Sequence, residues 1–379
     1  MQASNVRKNS RVCDALIFAV LLFSALIAAP PAQAQNLGKA DPRALAMGGG
    51  YVAVADGYAA LQWNPAGLWV SGRREVAIAL GSLPLEGGRW VESLRVVAGV
   101  SEELAAGDAV ATLASASSGL AGERAFGIYV VSVRYGGAIQ QITYVDEVSR
   151  FVDGAVHLDV ASLRTREYQF SAAHPFMQGR LVLGASAKLV QAQGRLDVVP
   201  LDSLAPGDLT SGELGGLARN GVVASEDTVV SVDVGVLLMA SSILRIGGVV
   251  KNLNAPGLDS ASEETAVSTE VFRLPRQIRV GGMLLPHPQV TVSLDLDLST
   301  DVFVEGARKR RELGGGIEWS AESFALRGGL LFDLKASERR PLYTFGVGLR
   351  GETMRADLAG SWRSDRDGFG WIGALLAEF

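Results

Sequence analysis

The sequence predicts an all-β fold: a transmembrane antiparallel β-barrel of about 14 strands with an N-terminal hatch, or plug, inside its lumen. Three observations predict it. Long stretches alternate apolar and polar residues with period two. The connections between them alternate short and long. Aromatic residues gather at the predicted strand ends, where the two bilayer interfaces would lie.

The alternation is clearest over 289–299, where Val290, Val292, Leu294, Leu296 and Leu298 share one face and Thr291, Ser293, Asp295, Asp297 and Ser299 the other. Over 228–238, Val230, Val232, Val234, Val236 and Leu238 oppose Ser231, Asp233 and Gly235. Over 354–363, Met354, Ala356, Leu358, Gly360 and Trp362 oppose Arg355, Asp357, Ala359, Ser361 and Arg363. Such a strand has two unlike faces. The same pattern places strands near 73–83, 88–100, 124–141, 155–174, 180–199, 228–239, 242–253, 276–286, 289–299, 311–320, 322–333, 341–350, 352–363 and 369–379.

Short links are expected near 175–179, 240–241, 286–288, 321 and 351, and long ones near 142–154, 200–227, 254–275, 300–310 and 334–340. Short periplasmic turns and long outer loops make this alternation in membrane barrels. One link, 101–123, is long where a short one is due. A secreted β-sandwich shares the alternation within strands but not the alternation of loops. With odd strands running outward, Trp90, Tyr343, Trp362 and Trp371 fall near the outer rim, and Trp319, Phe324 and Phe379 near the inner one. The chain ends on a strand whose Phe369, Trp371, Leu375 and Phe379 share a face.

Residues 1–34 read as a signal peptide, 35–72 as the hatch and 73–379 as the barrel. Arg7, Lys8 and Arg11 precede the apolar run Ala15–Ala29, and Ala32-Gln33-Ala34 offers a small-x-small cleavage site. The single cysteine, Cys13, lies in this leader, so the mature chain has no disulfide to draw on.

The chain of 379 residues carries 45 glycines and a formal charge of -5, with a mean hydropathy of +0.22. Without a basic stripe to neutralise phosphates, nucleic acid is not an expected partner. Met47-Gly48-Gly49-Gly50 lacks the Lys-Ser/Thr of a phosphate loop. Gly346–Gly351 matches GxGxxG but ends a strand, where a dinucleotide site needs a helix to begin. His157, His174 and His287 have no metal-ligand spacing, and no GxSxG elbow occurs. No cofactor, metal or catalytic residue is expected. Asp295 and Asp297, neighbours on one face about 7 Å apart at strand rise, are a minor hydrolase candidate against the simpler reading of a polar lumen. Arg327, Asp333, Arg350, Arg355, Asp357 and Arg363 recur at alternate, lumen-facing positions, able to pair across the interior and with the hatch.

The stretch RALAMGGGYVAVADGYAALQWNPAGL resembles the N-terminal signature of the FadL-like outer-membrane barrels, and most of all their PorV/PorQ and TraF-like group. The matching positions are Arg43, Met47, Gly48, Gly49, Asp56, Asn64, Pro65, Ala66, Gly67 and Leu68, and VDVGVLL, IGGVVKNLNAPG and LPRQIRVGGML resemble later strands of that group. The resemblance implies a barrel in the outer membrane of a Gram-negative-type cell, in contact with its lipid and closed by a hatch. It implies transport of hydrophobic small molecules, with Asn64, Pro65, Ala66, Gly67, Asp56 and Met47 as hatch and ligand-gate residues. The alternative it leaves open is a PorV-like component of a secretion or transfer system. Such a component would bind exported protein partners through outer loops such as the polar, acidic LDSLAPGDLTSGELGG.

Overall fold

The computed structural model describes residues 41–83, 121–152, 155–200, 222–258, 274–300, 310–335, 341–362 and 369–379. The leader, the strand expected near 88–100 with Trp90, and the longest outer connections lie outside the described residues.

Fourteen described strands form one closed barrel in which every strand pairs antiparallel with its neighbours in sequence and β1 pairs with β14. They are β1 (Arg74–Leu83), β2 (Ala121–Ser132), β3 (Tyr135–Val152), β4 (Ala155–Phe176), β5 (Leu181–Pro200), β6 (Val222–Met239) and β7 (Leu244–Lys251). Then come β8 (Gln277–His287), β9 (Val290–Asp297), β10 (Glu312–Ser320), β11 (Phe324–Asp333), β12 (Leu342–Arg350), β13 (Met354–Trp362) and β14 (Phe369–Glu378). Closure removes every sheet edge except where strands outrun their partners.

The expected strand over 124–141 is in fact a hairpin: β2 ends at Ser132 and β3 starts at Tyr135. Val133 and Arg134 make the turn, with Val133 at φ 23°. This restores the loop rule. The odd link at 101–123 belongs to the connection between β1 and β2, which lies on the long side, and 121–123 already pairs in β2. Every even strand before β14 is followed by a short turn, at 133–134, 177–180, 240–243, 288–289, 321–323 and 351–353. The long connection expected at 142–154 is instead strand, because β3 and β4 stay paired up to Val152 and Ala155.

Outward positions are apolar and exposed, as with Phe170 at 60 %, Leu294 at 59 % and Leu358 at 53 %, while their neighbours Gln169, Asp295 and Asp357 are buried inside. That is the inverse of a soluble protein and the pattern of a wall facing lipid. Trp319 and Phe324 meet edge to face at 5.4 Å beside one short turn, and Tyr343 and Trp362 meet at 5.8 Å near the opposite rim. No described helix is long and apolar enough to cross a membrane.

Strand lengths are unequal. β4 has 22 residues and β5 has 20, against 8 in β7 and β9. Where β6 outruns β7, Asn254 replaces the missing strand: its Nδ2 donates to Val230 O at 2.7 Å and its Oδ1 accepts from Val232 N at 3.2 Å.

Candidate functional site

Residues 41–71 fold as α1 (Pro42–Ala46), α2 (Gly57–Trp63), a 3-10 turn (Pro65–Gly67) and α3 (Leu68–Ser71). Each start is written locally. Asp41 caps α1 by accepting from Arg43 N at 2.7 Å and Ala44 N at 3.1 Å, with Pro42 in the first turn. Asn64 is extended, as a residue before proline tends to be, and its Oδ1 accepts from Ala66 N at 3.1 Å to close the turn.

Nearly all of this segment is buried against the inner faces of the strands. Short helices of this length are not stable alone, so the wall must hold them. It does so mainly through backbone groups. Asp295 Oδ2 on β9 accepts from Tyr51 N and Val52 N, each at 2.7 Å. Glu75 on β1 accepts from Tyr58 N. Arg245 on β7 donates to Ala53 O at 3.1 Å, Gln169 on β4 to Leu61 O at 2.7 Å, and Thr344 on β12 to Ala46 O at 3.2 Å. These bonds satisfy buried backbone groups at the helix ends and in the turn over 51–54 between the helices.

The sequence-predicted residues occupy different parts of this contact. Asn64, fully buried, donates from Nδ2 to Val52 O at 3.0 Å and to Val236 O of β6 at 3.1 Å. It therefore ties two parts of the segment to the wall. Pro65 and Ala66 lie so close to Gly184 of β5 and Gly235 of β6 that a Cβ on either glycine would overlap the Asn64-Pro65-Ala66 run. Gly67 leaves room for Ala55 and Ala60. Met47 is buried with Tyr51, Val52, Trp63, Val249 and Met283. Its backbone passes Gly316 of β10, where a Cβ would stand 2.7 Å from Met47 Cα. Asp56, part exposed, pairs with Arg43 Nη1 at 3.2 Å.

The glycine run Gly48-Gly49-Gly50 meets a second one in the wall. Gly48 and Gly49 have φ of 63° and 75°, and a Cβ on Gly48 would stand 2.6 Å from Gly315 O. Here only glycine permits both the left-handed backbone and the close approach. Gly346–Gly351, the chance GxGxxG match, spans the end of β12 and its turn.

Sequence reasoning did not single out the charged anchor. Arg43 donates to Glu318 of β10 through Nε at 2.8 Å and Nη2 at 2.7 Å. Glu318 also accepts from Arg327 Nε at 2.6 Å, and Arg327 Nη1 donates to Asp357 at 2.6 Å. Arg355 completes the run with Nε 3.1 Å from Asp357. Burial works against the Arg43 cation, but the Glu318 carboxylate overrides it and holds the guanidinium above its ordinary range. The expected inner-face charges Arg327, Arg355 and Asp357 thus pair with one another and reach the segment only through Glu318, while Arg363 lies outside the described residues. Asp333 accepts from Arg311 N and Lys335 N instead. Asp297 pairs with Arg279 Nε at 2.5 Å, so Asp295 and Asp297 serve as structural acceptors and not as a carboxylate pair over a cleft. No cluster of metal-ligating groups occurs among the described residues.

Residues 85–297 match the protein family described as "F plasmid transfer operon, TraF, protein". No curated protein matches the sequence. Among solved structures, the toluene transporter TbuX of Ralstonia pickettii is similar at TM-score 0.54 and 17 % identity, over 89 % of this chain and 98 % of that one. The monoaromatic hydrocarbon channel CymD is similar at TM-score 0.56 and 13 % identity, over 91 % and 98 %. The P. putida toluene transporter TodX is similar at TM-score 0.51 and 13 % identity, over 91 % and 98 %. At these identities the likeness is one of fold.

Proposed function

The chain belongs to the family of the F plasmid transfer operon protein TraF, and on that premise we propose that it is an outer-membrane FadL-like barrel that passes hydrophobic small molecules, with residues 35–72 as its hatch. The short turns face the periplasm and the long connections face outward. The leader is removed on export.

One observation carries the reading. The segment inside the barrel is fastened at points spread around the wall, through Tyr58 N to Glu75 on β1, Asn64 to Val236 on β6 and Arg43 to Glu318 on β10. A segment held this way blocks an open water-filled bore and makes passage depend on moving it. Asn64, Pro65, Ala66 and Gly67, with Asp56 and Met47, are then the gate. The shared fold with proteins described as toluene transporters and a hydrocarbon channel supports an apolar solute as cargo. Binding of exported proteins through the outer loops is not favoured by any described contact.

The test is flux of toluene into vesicles carrying the mature protein, compared with Asn64→Ala. Altered flux with normal, heat-modifiable folding is expected. Unchanged flux removes the gate assignment, and no flux above empty vesicles for the wild type removes the transport reading.

A further inference from the structure

The outer wall of β2–β6 is not uniformly apolar. Gly137 of β3 and Ala187 of β5 leave a groove of about 630 Å³ between larger outward residues, among them Ile139, Tyr168, Phe170 and Leu189. That volume lies in the range of about 300–1,000 Å³ usual for small-molecule pockets. A Cβ on Gly137 would meet only Gln169 O, at 3.5 Å, so the groove floor is open on the lipid side.

The groove has a charged end. Outward positions on β4 run Phe170, Tyr168, Arg166, Arg164, all exposed. Register puts Gln141 of β3 and Gln191 of β5 beside Arg166, one step beyond Ile139 and Leu189. Among the described residues neither Arg164 nor Arg166 has an ion-pair partner, although the chain's interior pairs its arginines closely. Arg166 stands ten residues above Phe176 at the short-turn rim. At strand rise and barrel tilt that is about 25 Å, the height of the apolar band. Both arginines therefore sit at the long-connection interface, where the opposite side of the barrel carries Tyr343, Trp362 and Trp371.

We propose that this face holds one lipid of the outer leaflet, an acylated and phosphorylated lipid of the lipopolysaccharide class, with a chain in the groove and a phosphate on Arg164 and Arg166. The guanidinium fork matches phosphate geometry, and basic residues at a membrane rim attract anionic headgroups. The apolar channel below them, continuous with the arginines on the same strand face, selects a lipid over a free anion. The proposal rests on the orientation given above, long connections outward, and not on transport, so a failed flux test leaves it standing.

The experiment uses the purified mature protein in detergent, incubated in turn with lipid A, phosphatidylglycerol, phosphatidylcholine and inorganic phosphate, and read by native mass spectrometry. Wild type should retain lipid A at least about tenfold over phosphatidylcholine. Arg164→Gln/Arg166→Gln and Gly137→Leu should each lose that preference, and Arg180→Gln, at the opposite rim, should keep it. Heat-modifiability confirms that each variant is folded, and Arg166→Gln alone replaces the double variant if that one does not fold. Lipid A retention unchanged in the arginine variants, or equal retention of phosphatidylcholine by the wild type, overturns the proposal. Retention lost in the arginine variants but kept by Gly137→Leu overturns the joined site. Equal retention of phosphatidylglycerol overturns the assignment to the lipopolysaccharide class.

Discussion

Arg43 and Glu318, 275 residues apart, form a two-bonded ion pair between the N-terminal segment and β10. Both are largely buried, at 15 % and 6 % side-chain exposure. Removing one partner of a buried pair typically costs about 3–5 kcal/mol, chiefly because the other charge is stranded. Arg43→Ala should loosen the segment by that order, read as faster hydrogen exchange over residues 41–56 with exchange in the strands unchanged. Glu318→Ala should do more, since it deprives both Arg43 and Arg327. If the two variants exchange like wild type, the pair does not hold the segment.

Asn64 separates donor from acceptor. Asn64→Asp keeps the oxygen that accepts from Ala66 N but loses the amide that donates to Val52 O and Val236 O. A buried acceptor left without its donor costs about 1–3 kcal/mol. The Asp variant should therefore be destabilised nearly as far as Asn64→Ala in thermal gel-shift assays. An Asp variant as stable as wild type would show that the turn alone matters.

Gly48 and Gly72 both have left-handed backbone, with φ of 63° and 60°. A Cβ on Gly72 meets nothing within 4 Å, whereas one on Gly48 runs into the backbone of Gly315 and Leu330. Gly72→Ala should cost only the backbone term, roughly 1–2 kcal/mol. Gly48→Ala should cost clearly more and should free the segment, as shown by protease access at Arg43. Equal costs would mean the wall yields there.

Asp41 gives the segment a pH dependence. Burial raises its carboxyl to about 6 from an ordinary 3.8, against the lowering effect of the Ala44 and Arg43 N–H groups. A raised carboxyl pKa means the folded state holds its proton longer than the unfolded one. The stabilisation is therefore fully present below about pH 4 and is lost as pH rises through about 6. Exchange at Ala44 and Leu45, corrected for intrinsic rates, should be slower at pH 4 than at pH 7.5. Asp41→Asn keeps a capping oxygen and should abolish the difference.

The sequence showed the wall better than what the wall holds. Alternation marked inner and outer faces correctly around Asp295, Ser231 and Asp357, because lipid on one side and a polar interior on the other leave each position one option. The β2–β3 hairpin was missed because its turn is Val133-Arg134, with none of the Gly or Asn that hairpin turns favour. The signal was a change of phase: inward positions are odd up to Val131 and even from Gly136. Asn64, Pro65 and Gly67 were marked by resemblance and by local turn chemistry. The wall glycines that face Asn64 and Pro65, Gly184 and Gly235, and the Glu318 that holds Arg43, stand more than a hundred residues away, and nothing in period or spacing links them to the segment.

The position of that segment in the chain bears on biogenesis. Residues 41–71 precede every strand in the chain, yet their anchors Asp295, Glu318 and Thr344 come from the last hundred residues. Earlier staves can already hold the cork through Glu75, Gln169 and Arg245, but its seating is complete only once β9, β10 and β12 are laid. A chain stalled before β10 would leave Arg43 without Glu318, so an unfinished vessel is one whose cork sits loose.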